Sequence, residues 1–206
     1  MKLVIINGPS LSGKDKALER IASEFDNVVR CETKQRLHEM TYQFFDIDSD
    51  LYFELYNDRT TKEEPNQLYT ITRKTYKLFS KHFDSHKDSR CRLSPREAMM
   101  YVSEIIVKPT LGDDYFGQYR ANMIKSGNLS VDASCGFVGE LPPSVDRLGQ
   151  ENILLIRVRG RGEFNRHDSR ETIPDGVIDR TVDIWNTGTE ENYLNEVVKT
   201  VSQFLS

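Results

Sequence analysis

The sequence predicts an α/β fold, a parallel β-sheet sandwiched by helices, and three observations predict it. The chain opens on Leu3 to Ile6, a run apolar at every position, as in strands buried on both faces. Strand-like and helix-like stretches then alternate along the chain. It closes on a clean amphipathic helix from Glu190 to Leu205, with Tyr193, Leu194, Val197, Val198, Val201, Phe204 and Leu205 as its apolar residues.

The first strand runs directly into Gly8-Pro9-Ser10-Leu11-Ser12-Gly13-Lys14, with the spacing G-x-x-x-x-G-K. A helical pattern follows, with Leu18, Ile21, Ala22 and Phe25 at i, i+3, i+4 and i+7. Strand, glycine loop and helix in this order make a phosphate cradle. The glycines let successive backbone N–H groups turn toward one anion, and the helix N-terminus adds its positive dipole end. Lys14 is placed to reach the β- and γ-phosphates of a nucleotide. The pattern ordinarily ends in Ser or Thr, whose hydroxyl binds Mg²⁺. Here it ends in Asp15, a carboxylate that suits the same hard ion directly or through water.

Further along, residues 27–31 read as a second strand and residues 35–45 as a helix. From 46 to 92 the pattern turns irregular and rich in Tyr, Phe and charge. It reads either as a surface insertion with an aromatic core of its own or as a mobile arm over the nucleotide. In the second reading Arg59, Lys62, Arg73 and Lys74 supply cations. Ser94-Pro95-Arg96-Glu97 is a helix start with a capping box. Ala98, Met99, Val102, Ile105 and Ile106 form its buried stripe, and Pro109 is expected to end it. Residues 113–125 read as a helix, and Leu129 to Asp132 as a strand with an acid at its carboxyl end, which in a parallel sheet faces the ligand crevice. Pro142 to Leu148 suggests a short helix, and residues 152–158 a buried strand. Arg157, Arg159, Arg161, Arg166 and Arg170 come next. An isolated run of this kind is a solvated loop. After the last long strand of such a fold it reads as an arginine lid, residues 157–174, because the guanidinium fork binds phosphate bidentately and keeps its charge. Val182 to Trp185 is the last strand, and a turn at 186–189 leads into the final helix.

Composition narrows the class. A chain of 206 residues allows one domain carrying an inserted subdomain. A net charge of −4 gives no global reason to expect nucleic acid or an anionic membrane as partner. No apolar run approaches the roughly 18 residues of a membrane span, and the N-terminus reads as a strand rather than a signal peptide. Cys31, Cys91 and Cys135 are unclustered, so neither a disulfide framework nor a zinc site is indicated, and the setting reads as reducing cytoplasm. His82 and His86 have helical spacing, but Lys81, Lys87 and Asp88 around them indicate a solvated face. An apolar face on 46–92 offers a homodimer contact.

These residues carry a resemblance. SGKD at 12–15, KEEPN at 62–66, SPRE at 94–97 and WNTGTEENY at 185–193 resemble the bacteriophage deoxynucleoside-monophosphate kinase family, in order over nearly the whole chain. Members of that family, a branch of the P-loop NTPase fold, also carry Asp after the loop lysine. The resemblance implies transfer of the γ-phosphoryl of ATP, with Mg²⁺, to a deoxynucleoside 5′-monophosphate. It implies a supplier of phage DNA precursors in the host cell cytoplasm. Gly8, Ser10, Ser12, Gly13, Lys14, Asp15 and Lys16 then hold the ATP phosphates, and Asn186, Thr187 and Gly188 lie beside the adenine. Asp15 and Asp132 serve Mg²⁺ and its waters. Arg96 sits near the acceptor phosphate and Lys62 in the arm that covers it. Lys108, Asp114 and Tyr115 match a family stretch of basic residue, acid and aromatic. Arg159 and Arg166 act from the lid on the transferring group, with Arg170 toward the substrate.

The chain departs from the family pattern in two places. Where the family has D-x-R-F-x-x-E, this chain has Asp132-Ala133-Ser134-Cys135-Gly136 before Phe137-Val138-Gly139-Glu140, so the arginine is gone. Lys108 stands where arginine is usual and forgoes a bidentate contact. Two other readings stay open: a kinase of another small phosphorylated metabolite on the same scaffold, and a nucleotide-binding module without catalysis.

Overall fold

The computed structural model describes residues 1–83, 88–164 and 171–206, apart from the side chain of His82. They form two units, one of residues 1–33 and 113–206, the other of residues 34–112.

The first unit is built outward from β1 (Lys2–Asn7). Four further strands join it, β2 (Val28–Arg30), β3 (Leu129–Asp132), β4 (Ile153–Arg159) and β5 (Arg180–Trp185). The order is β2-β3-β1-β4-β5, and every pairing is parallel. Alternation along β1 explains its continuous apolar run. Val4 and Ile6 pack under α1 (Lys14–Glu24) and α9 (Glu190–Leu205), with Ile21, Val197 and Val201. Leu3 and Ile5 face the opposite side, with Ile124, Leu141 and Leu148 at the ends of α7 (Tyr115–Met123) and α8 (Pro142–Leu148). A strand covered on both faces has no polar side to present. Because all strands run the same way, their carboxyl ends share one edge, which carries the glycine loop, Asp132 and Arg159.

The second unit is helical. It contains α2 (Lys34–Phe44), α3 (Ser49–Asn57), α4 (Arg73–His82), α5 (Pro95–Tyr101) and α6 (Lys108–Leu111). Among its described residues, segment 46–92, irregular by its pattern, holds two of these helices and two 3₁₀ turns. Its buried Tyr52, Tyr56, Tyr69, Tyr76 and Phe79 form an aromatic core. The capping box at α5 is present in full: Ser94 Oγ accepts the Glu97 N–H at 3.2 Å, and Glu97 Oε2 accepts the Ser94 N–H at 2.8 Å.

Pro109 does not end that helix. A π-helical stretch, Val102–Val107, joins α5 to α6, and helical structure runs on to Leu111. The Lys108 N–H bonds the Ser103 carbonyl five residues back, and this wider turn relieves the clash a proline ring makes with the carbonyl four residues before it.

Among the described residues, no helix is long and apolar enough to cross a membrane.

Candidate functional site

At the end of β1 the chain turns through the glycine loop into α1. Gly13 is the N-cap, with φ of 100°, a region open to glycine and strained for other residues. A Cβ there would lie 2.8 Å from Asn186 Nδ2 and 3.2 Å from the Tyr193 ring, so the loop is held from behind. Asn186 Nδ2 donates to the Ser12 carbonyl at 2.9 Å, and Tyr193 Oη donates to the Gly13 carbonyl at 3.2 Å. No side chain caps the first turn of α1, which leaves its N–H groups for an anion. Lys14 is buried and folds over the loop, its ammonium donating to the Pro9 carbonyl at 2.6 Å. Ser12 Oγ is buried without a hydrogen-bond partner. Leu11, at the apex, holds a left-handed φ of 64° while 72% exposed. A strained residue, an orphaned hydroxyl and an uncapped helix start in one loop are what a site poised for a ligand retains.

Asn7, the residue before the loop, is a hub that the sequence reading missed. Its Nδ2 donates to the carbonyls of Cys135 at 3.2 Å and Glu171 at 3.0 Å, and its Oδ1 accepts the Ile173 N–H at 3.1 Å. It thereby ties β1 to the loop after β3 and to the segment returning from the arginine-rich stretch. The available signal was a polar residue closing an otherwise apolar strand.

Asp132 ends β3 in full burial. Its Oδ1 accepts the Ser134 N–H at 2.7 Å and the Ser134 hydroxyl at 2.6 Å, and its Oδ2 accepts from Arg120 Nη1 at 2.9 Å. Arg120, itself wholly buried on α7, also donates to Ser144 Oγ at 3.2 Å and to the Glu140 carbonyl. The residue expected to serve Mg²⁺ and its waters is thus held in an internal ion pair. Both oxygens are committed to protein donors, and its charge is balanced by a guanidinium. The guanidinium comes from α7, twelve residues back along the chain. Cys135 lies beside this pair, and burial pushes its thiol up to about 11 against the pull of Arg120. Such a thiol is inert at neutral pH.

Arg157 and Arg159 sit within β4, at the root of the expected lid. Register sets Arg157 opposite Asp183 and Arg159 opposite Trp185. Arg157 grips Asp183 bidentately, at 2.7 and 3.0 Å, and reaches Asp175 at 2.7 Å and the Ile173 carbonyl at 3.1 Å. Arg159 donates to Asp183 at 3.0 Å and to Thr172 at 3.4 Å. Partial burial opposes the Asp183 charge, yet the hydrogen bonds from Arg157 and Arg159 outweigh it and hold its carboxyl below the usual range. Arg159 in this structure holds the segment that follows the arginine-rich stretch. Arg161 donates to the Gly188 carbonyl at 3.1 Å, at the turn where Asn186 braces the glycine loop. Arg166, Arg170 and Ser169 lie outside the described residues, as does His86.

The remaining expected site residues fall as follows. Asp15 is exposed on the first turn of α1, and Lys16 pairs with Glu190 at the start of α9. Ser10 presents its carbonyl to Gly162. Thr187 packs its methyl toward Gly160. Asp114 starts α7 and accepts from Gln118 at 2.8 Å. In the second unit, Arg96 on α5 pairs with Glu63 at 2.6 Å, joining the SPRE and KEEPN motifs, and Lys108 pairs with Glu104 at 2.7 Å. Lys62 stands over the Tyr56 ring, 3.8 Å from its centroid. Among the described residues, no group of three or more His, Cys, Asp or Glu side chains stands ready to hold a metal ion.

No protein-family model matches the chain, and no curated protein matches it in sequence.

Proposed function

We propose that the chain is a P-loop kinase that transfers the γ-phosphoryl of ATP to a deoxynucleoside 5′-monophosphate. The observation that carries this reading is the glycine loop. It leads from the central strand of a parallel sheet into an uncapped helix, with Lys14 folded over it and Ser12 Oγ left without a partner. That arrangement fits a chain of phosphates. The acceptor class rests on the motif resemblance, with Arg96 and Lys62 assigned to the monophosphate.

Lys14 would exchange the Pro9 carbonyl for phosphate oxygens, and the first-turn N–H groups would hold the β-phosphate. Asp15, exposed at the same helix start, fits Mg²⁺ through its water shell, since this ion keeps several waters and leans on substrate phosphates. When bound, Mg²⁺ neutralises charge on the phosphates. Phosphoryl transfer needs little covalent help from the protein, so orientation and charge balance do most of the work. Asn186 and Tyr193 keep the loop in shape from behind. Arg161, already at the rim, and Arg159, once released from Asp183, would meet the charge on the transferring group, joined by Arg166 as the resemblance assigns it.

A second reading, a nucleotide-binding module without transfer, is favoured by one observation: Arg159 and Asp132 are both committed to internal ion pairs. An ADP-release assay with ATP and Mg²⁺ separates the two. It would run across the deoxynucleoside and ribonucleoside monophosphates and a set of phosphorylated metabolites. We expect base-dependent turnover on deoxynucleotides, falling at least about a hundredfold in Lys14→Ala, of the size seen when one charge-stabilising donor is removed. ATP binding with no turnover on any acceptor would establish the silent module. Turnover on a metabolite alone would move the acceptor class.

A further inference from the structure

We propose that Trp185 is the platform on which the base of the nucleoside triphosphate stacks. The inference rests on the reading of the glycine loop as a nucleotide site and adds to it the group that recognises the base.

Trp185 is the chain's single tryptophan and the last residue of β5, and it is 62% exposed. Its strand neighbour Ile184 is wholly buried against α1 and α9, so alternation turns Trp185 to the other face, beside its register partner Arg159. A single exposed apolar side chain is ordinary. This one differs in what supports it and in what lies next to it.

The six-membered ring rests against Gly160, where an added Cβ would lie 3.5 Å from Trp185 Cε3 and 2.5 Å from the Thr187 methyl. Two residues on, Gly162, with φ of 71°, passes so close to the glycine loop that a Cβ would fall 2.1 Å from the Ser10 carbonyl oxygen. Residues 160–162 thus touch the indole at one end and the phosphate loop at the other. Two residues of chain span roughly 7 Å at most, so the indole and the loop lie within the length of one nucleotide. Arg161, between the two glycines, is pinned to the Gly188 carbonyl and brings a cation to the same rim. On the far side Asn186, the residue after the tryptophan, is hydrogen-bonded to Ser12 of the loop. An exposed aromatic ring within reach of a phosphate cradle, with a guanidinium at the same rim, matches a ligand that is planar at one end and polyanionic at the other. Base stacking on an aromatic side chain would account for roughly tenfold in affinity, about 1.4 kcal/mol.

The test uses the whole protein and the fluorescence of its one tryptophan. ATP and inorganic tripolyphosphate are titrated with Mg²⁺, and affinities are measured in parallel by calorimetry for wild type, Trp185→Phe, Trp185→Ala and Lys14→Ala. We expect ATP to quench the indole while tripolyphosphate binds without quenching. Trp185→Ala should lose about tenfold for ATP and nothing for tripolyphosphate, and Trp185→Phe should retain most of the ATP affinity. Unchanged ATP affinity in Trp185→Ala, with ATP still lost in Lys14→Ala, would overturn the platform and leave the phosphate site standing. Equal weakening of both ligands in Trp185→Ala would also overturn it, by showing that the ring merely supports the loop. Failure of both ligands to bind wild type would overturn the glycine-loop reading and the platform with it.

Discussion

The two units fill their interiors with different side chains, and the difference decides where each is vulnerable. The sheet unit packs Val, Ile and Leu on both faces; its buried hydroxyls on Ser12 and Ser130 lack partners, but the Arg120 and Asp132 charges and the Asn7 amide are each hydrogen-bonded. An aliphatic interior gives a charge nothing else to lean on, so pairing there is obligatory. The helical unit buries tyrosines instead, and each brings a hydroxyl into the core. Tyr52 Oη meets His38 Nδ1 at 2.6 Å, and Tyr76 Oη accepts the Asp88 N–H at 2.7 Å. Tyr69 Oη is buried without a hydrogen-bond partner. Aromatic cores gain large contact area per residue but bring titratable groups with them. The sheet unit should therefore fail by losing a partner, and the helical unit by taking up a proton.

The largest effect tests the first half of that contrast. Arg120→Met removes the cation from a buried carboxylate and should lower unfolding free energy by about 3–5 kcal/mol, read from denaturant melts. Adding Asp132→Asn should recover part of it, because the stranded charge goes with it. If Arg120→Met were as stable as wild type, buried pairing would not govern this unit.

The second half is a matter of pH. Burial pushes His38 down to about 3 from its ordinary 6.5, and the Lys34 and Lys62 charges add to the effect. Below pH 6.5 the unfolded chain takes up a proton that the folded chain refuses. Stability held in full above that pH is then lost progressively until the folded group itself titrates. At about pH 5 the loss should reach about 2 kcal/mol relative to neutrality. Comparing melts of wild type and His38→Gln between pH 7 and about pH 5 isolates it. The variant should lose this slope, and equal slopes would show that His38 is not the group responsible.

The smallest effect concerns the end of one helix. Ser94→Ala breaks the capping box of α5 and should cost about 1 kcal/mol. A value near zero would mean that packing alone fixes the start of that helix.

Much of the fold was legible in the sequence because it is written in local patterns. β3 and α8 fall at the expected residues, and β1, β2, β4 and β5 within a residue or two. The capping box was readable because all its parts lie within four residues. Pro109 was misread because its usual clash is relieved by a π turn, which has no simple residue signature. The partner of Asp132 was not legible for a different reason. An acid at a strand end shows no sign of its cation until Arg120, on another element, is placed against it.

The alternation of strands and helices, the glycine loop and the caps follow from local sequence. Each depends on the conformational preferences of neighbouring residues and on which faces are apolar. How the charged groups are used depends on packing between distant elements. That packing paired Asp132 with Arg120 and Arg159 with Asp183, placed Asn186 behind the loop and left Trp185 at its rim. Such pairings follow from strand register and from helices laid across a sheet, and a charged side chain carries no local mark of the partner it will meet.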